Sequence, residues 1–346
     1  MPAPEDSTIL RRANKVVFAP MINQPIKEPP AENAGMLGKY MRYPFADGNC
    51  SFALGLVPMA EETWLDIDEH YVAEMREKAR RLREEYGKVF RALPESLPGQ
   101  AEVLETLLDH LAANYPNFFR ITRGASVRPG DGIDPDTRID NLINGESWRA
   151  GDFSAAPLDL AGRLIQEDLC LMSPDGKGTY VLSAGSVCFP LRWELTEKFG
   201  LAMAAIHGAV PGYDEKLAAP SDRYMVGLKA YKPSWRSNWS IVDAPDLYLK
   251  QRRFAQGHNA EITAENAGRK LWIRSERQTL RRLPRSGDVL FTIRTYIRPL
   301  SALGNLPAVA RGLAQALDKV SPEMRGYKNQ LPIRDALLAY LGRISG

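Results

Sequence analysis

The feature that most constrains this chain is a pair of long strand-like segments in its second half. KLWIRSERQTLRRLP and DVLFTIRTYI are joined by a short turn at Arg285 to Gly287. The second is rich in β-branched and aromatic residues, and with Pro and Gly marking the turn between them the two read as strands. LIQEDLCLMS and TYVLSAGSVCFP, separated by PDGKG, read the same way, and FALGLVPM adds a short strand ending at Pro58. Helical patterns stand on both sides. DIDEHYVAEMREKARRLREEY has Asp66 or Asp68 to cap it, acids in its first turn and a buried stripe of Tyr71, Met75 and Leu82. GQAEVLETLLDHLAANYP stops before Pro116, WELTEKFG ends at Gly200, and SDRYMVGLKAY is capped by Ser221. PAVARGLAQALDKV and IRDALLAYLGRI close the chain as helices. Helices, then strands, then helices predict an α+β fold with a mostly antiparallel sheet. Residues 1–42 read as an extended arm, 43–346 as one domain with helical additions, and 124–155 as a long loop with room for short structured pieces.

Composition removes several function classes. The net charge of +3, from 45 basic and 42 acidic residues, is too balanced to imply nucleic acid or an anionic membrane as partner. No run of eighteen apolar residues occurs and the N-terminus lacks a signal-peptide core, so a cytoplasmic protein is expected. Cys50, Cys170 and Cys188 are widely spaced, which argues against a zinc site or an iron–sulfur cluster held within the chain. Cys170 and Cys188 lie in apolar runs and read as core filler. Dinucleotide, P-loop, nucleophile-elbow, HExxH and kinase signatures are all absent.

What remains is a small set of candidate residues. Of four histidines, His70 reads as exposed, His110 as a helix residue beside Asp109, and His258 as part of a polar loop. His207 differs, because it ends the apolar run AMAAIH and meets the turn GAVPG. Such a histidine is more often a satisfied core residue than a ligand. Glu167 and Asp168 interrupt an apolar run, so one of them can face the interior. Either an arginine pairs with it, or it holds a cationic substrate. The basic run from Arg274 to Arg285 is either a solvated face or a pocket for an anionic cofactor.

Several phrases taken together carry a family likeness: GLVPMAEETWLDIDEHYVAEMREK, IQEDLCLM, VCFPLRWELTEKFG, AAIHGAVPGY, SNWSI and RSERQTLRRLPRSGDVLFTIRTYIRPL. From about Tyr43 to Tyr327 the chain resembles the haem-dependent oxidative N-demethylase alpha subunit family. The resemblance implies a PAS-like antiparallel sheet that holds haem b. It also implies a monooxygenase that takes dioxygen and removes a methyl group from a small secondary amine such as dimethylamine. Electrons would come from NADPH through flavin and iron–sulfur centres, here on a separate reductase or ferredoxin-like partner. Imidazole is a common axial ligand, which points to His207 as the metal ligand. Haem propionates are anionic, and Arg274, Arg277, Arg281, Arg282 and Arg294 could bond them, with Arg277 and Arg281 sharing one face of a strand. Glu167 or Asp168 would hold a protonated amine, with Trp239 giving a cation–π contact. Two alternatives stand beside this: a PAS-type haem sensor for gas or redox without turnover, and a binding protein without haem.

Overall fold

A computed structural model describes residues 38–50, 53–124, 132–250, 259–328 and 330–346. Among them are ten strands: β1 Val57–Pro58, β2 Phe90–Ala92, β3 Phe119–Thr122, β4 Arg138–Asn141, β5 Ser147–Arg149, β6 Asp168–Pro174, β7 Tyr180–Ser186, β8 Ser234–Val242, β9 Trp272–Arg282 and β10 Val289–Pro299. Seven of them form one antiparallel sheet in the order β1-β8-β9-β10-β6-β7-β2, and β3-β4-β5 form a small second sheet. With eleven α-helices among the same residues, the α+β expectation is met.

The expected pair of strands is the β9–β10 hairpin, in register from Arg282 opposite Val289 to Trp272 opposite Pro299. Its turn closes when Leu283 N donates to the Asp288 carbonyl, and Gly287 takes φ +76°, which a side chain would strain. The helices Tyr71–Glu84, Leu97–Asn114, Pro307–Lys319 and Arg334–Ile344 lie where periodicity put them.

Two boundaries differ from the sequence reading, and the long loop is found to hold short structured pieces. Leu164 ends the helix Pro157–Leu164 instead of opening a strand, because Pro157 starts that helix and Leu158, Leu160, Ala161 and Leu164 bury its stripe. The expected loop 124–155 contains the β4–β5 hairpin, turned at Asn144–Gly145 with Gly145 at φ +77°; residues 125–131 lie outside the described set. Ser221 does not cap its helix, which runs Ala219–Gly227 and continues directly from the wide turn Asp214–Ala218. Most of the expected N-terminal arm also lies outside the described residues, but Met41, Tyr43 and Phe45 are core residues.

Side chains alternate along a strand, and residues directly opposite across a ladder share a face. The large sheet therefore has two distinct faces. The first carries Leu169, Leu171, Ala184, Trp239, Ile241, Ile273, Leu290 and Tyr296, all buried under two apolar clusters. The helices near residues 71–164 cover one part of it, and the two C-terminal helices cover the other. The second face carries Cys170, Met172, Leu182, Leu280 and Phe291. It is covered by the crossover between β7 and β8, which contains the helices Met203–His207 and Ala219–Gly227.

Candidate functional site

The first face holds three of the arginines expected to bind a cofactor. Arg277 is opposite Arg294 on β10 and Ser237 on β8. Its guanidinium donates to the carbonyls of Thr63 (2.6 Å) and Trp64 (2.9 Å), and the Trp235 ring lies 5.3 Å away. Arg281 pairs with Glu61 and stacks 4.4 Å over Trp64. Arg294 is enclosed by Asp68 and Glu74, each at 2.8 Å, and donates to the Asp66 carbonyl. Tyr296 donates to Asp66 at 2.6 Å, and the Asp66 amide donates to Glu167 at 3.1 Å. This is a buried ionic network in which the arginines already have partners.

Burial pushes the Glu74 carboxyl up, against the opposing charge of Arg294, to about 7. A carboxyl raised in the folded state adds stability that is full below its unfolded pKa and is lost as pH rises through the folded one. Glu74 should therefore cost stability between about pH 5 and about pH 8, and Glu74→Gln should flatten that part of the profile. Urea midpoints of both proteins across this window check it; parallel profiles would refute it.

The second face is different in character. Opposite partners place Glu276 beside Asn238, and Gln278 between Arg236 and Ile293. Arg236, Asn238, Glu276, Gln278, Phe291 and Ile293 are all half-buried, whereas Ser275, Arg277, Thr279, Thr292 and Arg294 on the first face are buried. Trp193, Met203, Ile206 and Tyr224 add apolar surface around them.

His207 ends the helix Met203–His207 on this side. Its Nδ1 lies 2.9 Å from the Met203 carbonyl, and its ring stacks on Tyr213 with centroids 4.7 Å apart. A carbonyl only accepts, so Nδ1 carries the hydrogen and a neutral ring presents its lone pair at Nε2. Burial lowers the pKa of His207, which favours that neutral form. Arg236 lies within electrostatic reach of His207, Tyr213 and Glu276. Its Nε is buried without a hydrogen-bond partner among the described residues, and burial is the main influence lowering its pKa. A haem needs a ligand nitrogen, an apolar slot and cations for two propionates. His207 matches the ligand nitrogen, Arg236 one of the two cations, and Trp193, Met203, Ile206, Tyr224 and Phe291 the apolar surroundings.

The other expected site residues are engaged elsewhere. Asp168 accepts from the amides of Cys188 and Phe189, both at 2.8 Å, and Lys78 lies 3.8 Å away. Glu167 accepts from the Asp66 amide, and Trp239 packs edge-on against Phe45 with centroids 5.2 Å apart. Arg274 bonds the carbonyls of Leu247 and Phe189, and Arg282 those of Leu228 and Gly287. His70 is half-buried rather than exposed, with Nε2 3.0 Å from Arg298. His110 is buried against Trp64, and burial pushes its pKa down to about 4. His258 lies outside the described residues. Cys170 and Cys188 are buried free thiols, raised by burial to about 12. No helix among the described residues is long and apolar enough to cross a membrane.

The sequence reading missed Arg236, Glu276 and Tyr213. Arg236 and Glu276 had an available signal, since alternation places them on the face opposite Arg277. Tyr213 closes the AAIHGAVPGY segment that contains His207. A model of the family described as haem-dependent oxidative N-demethylase, alpha subunit-like, matches residues 55–338. That match spans most of the chain and both faces of the large sheet, and on it the chain belongs to the haem-dependent oxidative N-demethylase alpha subunit-like family.

Proposed function

We propose that this chain binds haem b on the second face of its sheet and removes a methyl group oxidatively from a small secondary amine such as dimethylamine. The observation that carries the reading is His207, a neutral imidazole with Nδ1 held by the Met203 carbonyl and Nε2 left as the ligand atom. The antiparallel strands β8-β9-β10-β6-β7, with helices crossing one face, support a PAS-like sheet. Arg236 is the cation that the same face offers to a propionate, in place of Arg277, Arg281 and Arg294. Bound haem would supply the activation of dioxygen, and the protein would supply ligand, orientation and protons.

Dimethylamine, dioxygen, two electrons and two protons give methylamine, formaldehyde and water. With three widely spaced cysteines, two of them buried, the chain offers no thiolate set for an iron–sulfur centre. The electrons would come from NADPH through flavin and iron–sulfur centres on a separate reductase or ferredoxin-like protein.

The test joins a spectrum to turnover. Purified protein from haem-supplemented cells should show a Soret band that shifts with dithionite and again with carbon monoxide. Formaldehyde should form from dimethylamine with NADPH, ferredoxin and its reductase together, and not with NADPH alone. Absence of haem refutes the reading. Reducible haem without formaldehyde in any mixture turns it toward a sensor. Steady turnover with NADPH alone refutes the separate partner.

A further inference from the structure

We infer that the surface built by segments 53–60 and 223–232 is where an acidic ferredoxin-like electron donor docks, a role that rests on the demethylase reading above. Tyr231, at 75%, is the most exposed large apolar side chain among the described residues, and Val226 (56%) and Val57 (45%) stand out in the same two segments. Single exposed apolar residues are ordinary, whereas a cluster of them marks an interaction surface. Hydrogen bonds tie both segments to the start of β8. Val57 and Pro58 pair with Trp235 and Ser234, the Met59 amide donates to the Pro233 carbonyl at 2.9 Å, and the Tyr224 hydroxyl donates to Ser234 Oγ at 2.7 Å. Arg282 donates to the Leu228 carbonyl at 2.6 Å and to the carbonyls of Met225 and Val226. The Lys232 amide closes a turn on the Lys229 carbonyl at 3.0 Å. The exposed side chains are therefore presented on a fixed backbone, which lowers the ordering cost of binding.

Charge selects the partner. From Arg223 to Val242 the chain has Arg223, Lys229, Lys232 and Arg236 and no acid, and from Ala53 to Ala60 it has no charge at all. Arg223, Lys229 and Lys232 are exposed. An aromatic anchor within a cationic rim fits a partner whose surface is acidic around an apolar spot. A second copy of this chain in a twofold contact would set these cations against its own, which is unfavourable. Position selects the partner's task. The helix Ala219–Gly227 buries Met225, which packs with Leu228 and Leu280 on the second face, and exposes Arg223 and Val226 on its other side. Arg236, the cation offered to a propionate, lies two residues along β8 from Ser234, and the two share a face. A donor seated on this surface would stand beside the propionate edge. Each reduced donor gives one electron to ferric haem, and two such transfers meet the two electrons that the reaction consumes.

The probe is a plant-type ferredoxin with its NADPH reductase. Tyr231→Ser and the double variant Lys229→Glu/Lys232→Glu change exposed side chains only. Arg269→Glu is the control, an exposed charge reversal on the short helix that packs with the C-terminal helices. All three should keep the Soret band, the circular dichroism and the rate of reduction by dithionite. Stopped-flow reduction of the haem by reduced ferredoxin at low salt should be at least ~10-fold slower in the two surface variants and unchanged in Arg269→Glu. The wild-type rate should fall as salt rises, and the double variant should lose most of that dependence, because the screened charges are the ones removed. Fluorescence anisotropy of labelled ferredoxin reads binding without using the haem, and both surface variants should bind at least ~10-fold more weakly. Wild-type rate and affinity in either surface variant, equal slowing in Arg269→Glu, or wild-type haem that dithionite reduces and ferredoxin does not, overturns the proposal. So does a wild-type dimer in sedimentation that Tyr231→Ser splits, since the surface would then join two copies. A chain that carries no haem defeats the demethylase reading instead, while anisotropy still reports whether this surface takes an acidic ferredoxin.

Discussion

Replacing His207 by alanine should leave the protein folded and without its Soret band. The ring is half-buried at the end of a short helix, so its loss removes one stacking contact with Tyr213 and little of the core. The effect on the cofactor should be far larger. Residues that merely support a metal ligand change affinity by about 10- to 100-fold, so losing the ligand itself should weaken haem retention by at least ~100-fold. Arg236→Ala should weaken retention less, through loss of a charge partner for a propionate. Arg277→Ala should lower stability and leave haem content unchanged, because its partners are the main chain of Thr63 and Trp64. Pyridine haemochrome assays and circular dichroism on the three variants decide the matter. A normal Soret band in His207→Ala would remove the assignment, and haem loss in Arg277→Ala with normal stability would return the first-face arginines to the site. His70→Ala is the control, since that ring lies against Arg298 and Glu69.

Arg294→Ala should be the most destabilising of the arginine substitutions. It leaves Asp68 and Glu74 facing each other in the interior with their shared cation gone. Breaking a buried ion pair by removing one partner costs about 3–5 kcal/mol, a large share of the ~5–15 kcal/mol that holds an ordinary domain together. Arg281→Ala should cost about 1 kcal/mol or less, since its partner Glu61 is exposed. Arg294→Lys should not restore stability, because an ammonium cannot reproduce the guanidinium fork between two carboxylates and a carbonyl. Urea denaturation of the three variants measures the order. A loss below ~1 kcal/mol for Arg294→Ala would mean that the network relaxes or takes up protons in its place.

The hairpin β9–β10 was legible because its signals are local: a run of β-branched and aromatic residues in its second strand and a Pro/Gly turn between the two segments. The helix Tyr71–Glu84 was legible in extent and in its apolar stripe of Tyr71, Met75 and Leu82. Its burial of Glu74, Lys78 and Arg81 was not, because charged residues at helical spacing normally mark a solvated face. Remote partners satisfy two of them, Arg294 for Glu74 and the carbonyls of Ile165 and Glu167 for Lys78, while Arg81 stacks 3.4 Å over the Tyr248 ring and pairs with Glu85. Asp66 or Asp68 looked like a helix cap: Asp68 does accept from the His70 amide just before the helix at 3.0 Å and also pairs with Arg294, whereas Asp66 accepts from Tyr296.

The sequence by itself determined the elements and the periodicity within each of them. It showed that Arg277 and Arg281 share one side of a strand and Glu276 the other, because side-chain direction alternates with a period of two whatever the neighbours. Only the tertiary structure decided which segments cover each side and how deeply they bury it. That choice depends on segments far away in the chain. The stretch around Thr63 and Trp64 and the C-terminal helices seal the first face, whereas the crossover bearing His207 lies over the second. Arg236 on β8 comes within electrostatic reach of Glu276 by the same route, through strand register and packing that no local pattern encodes.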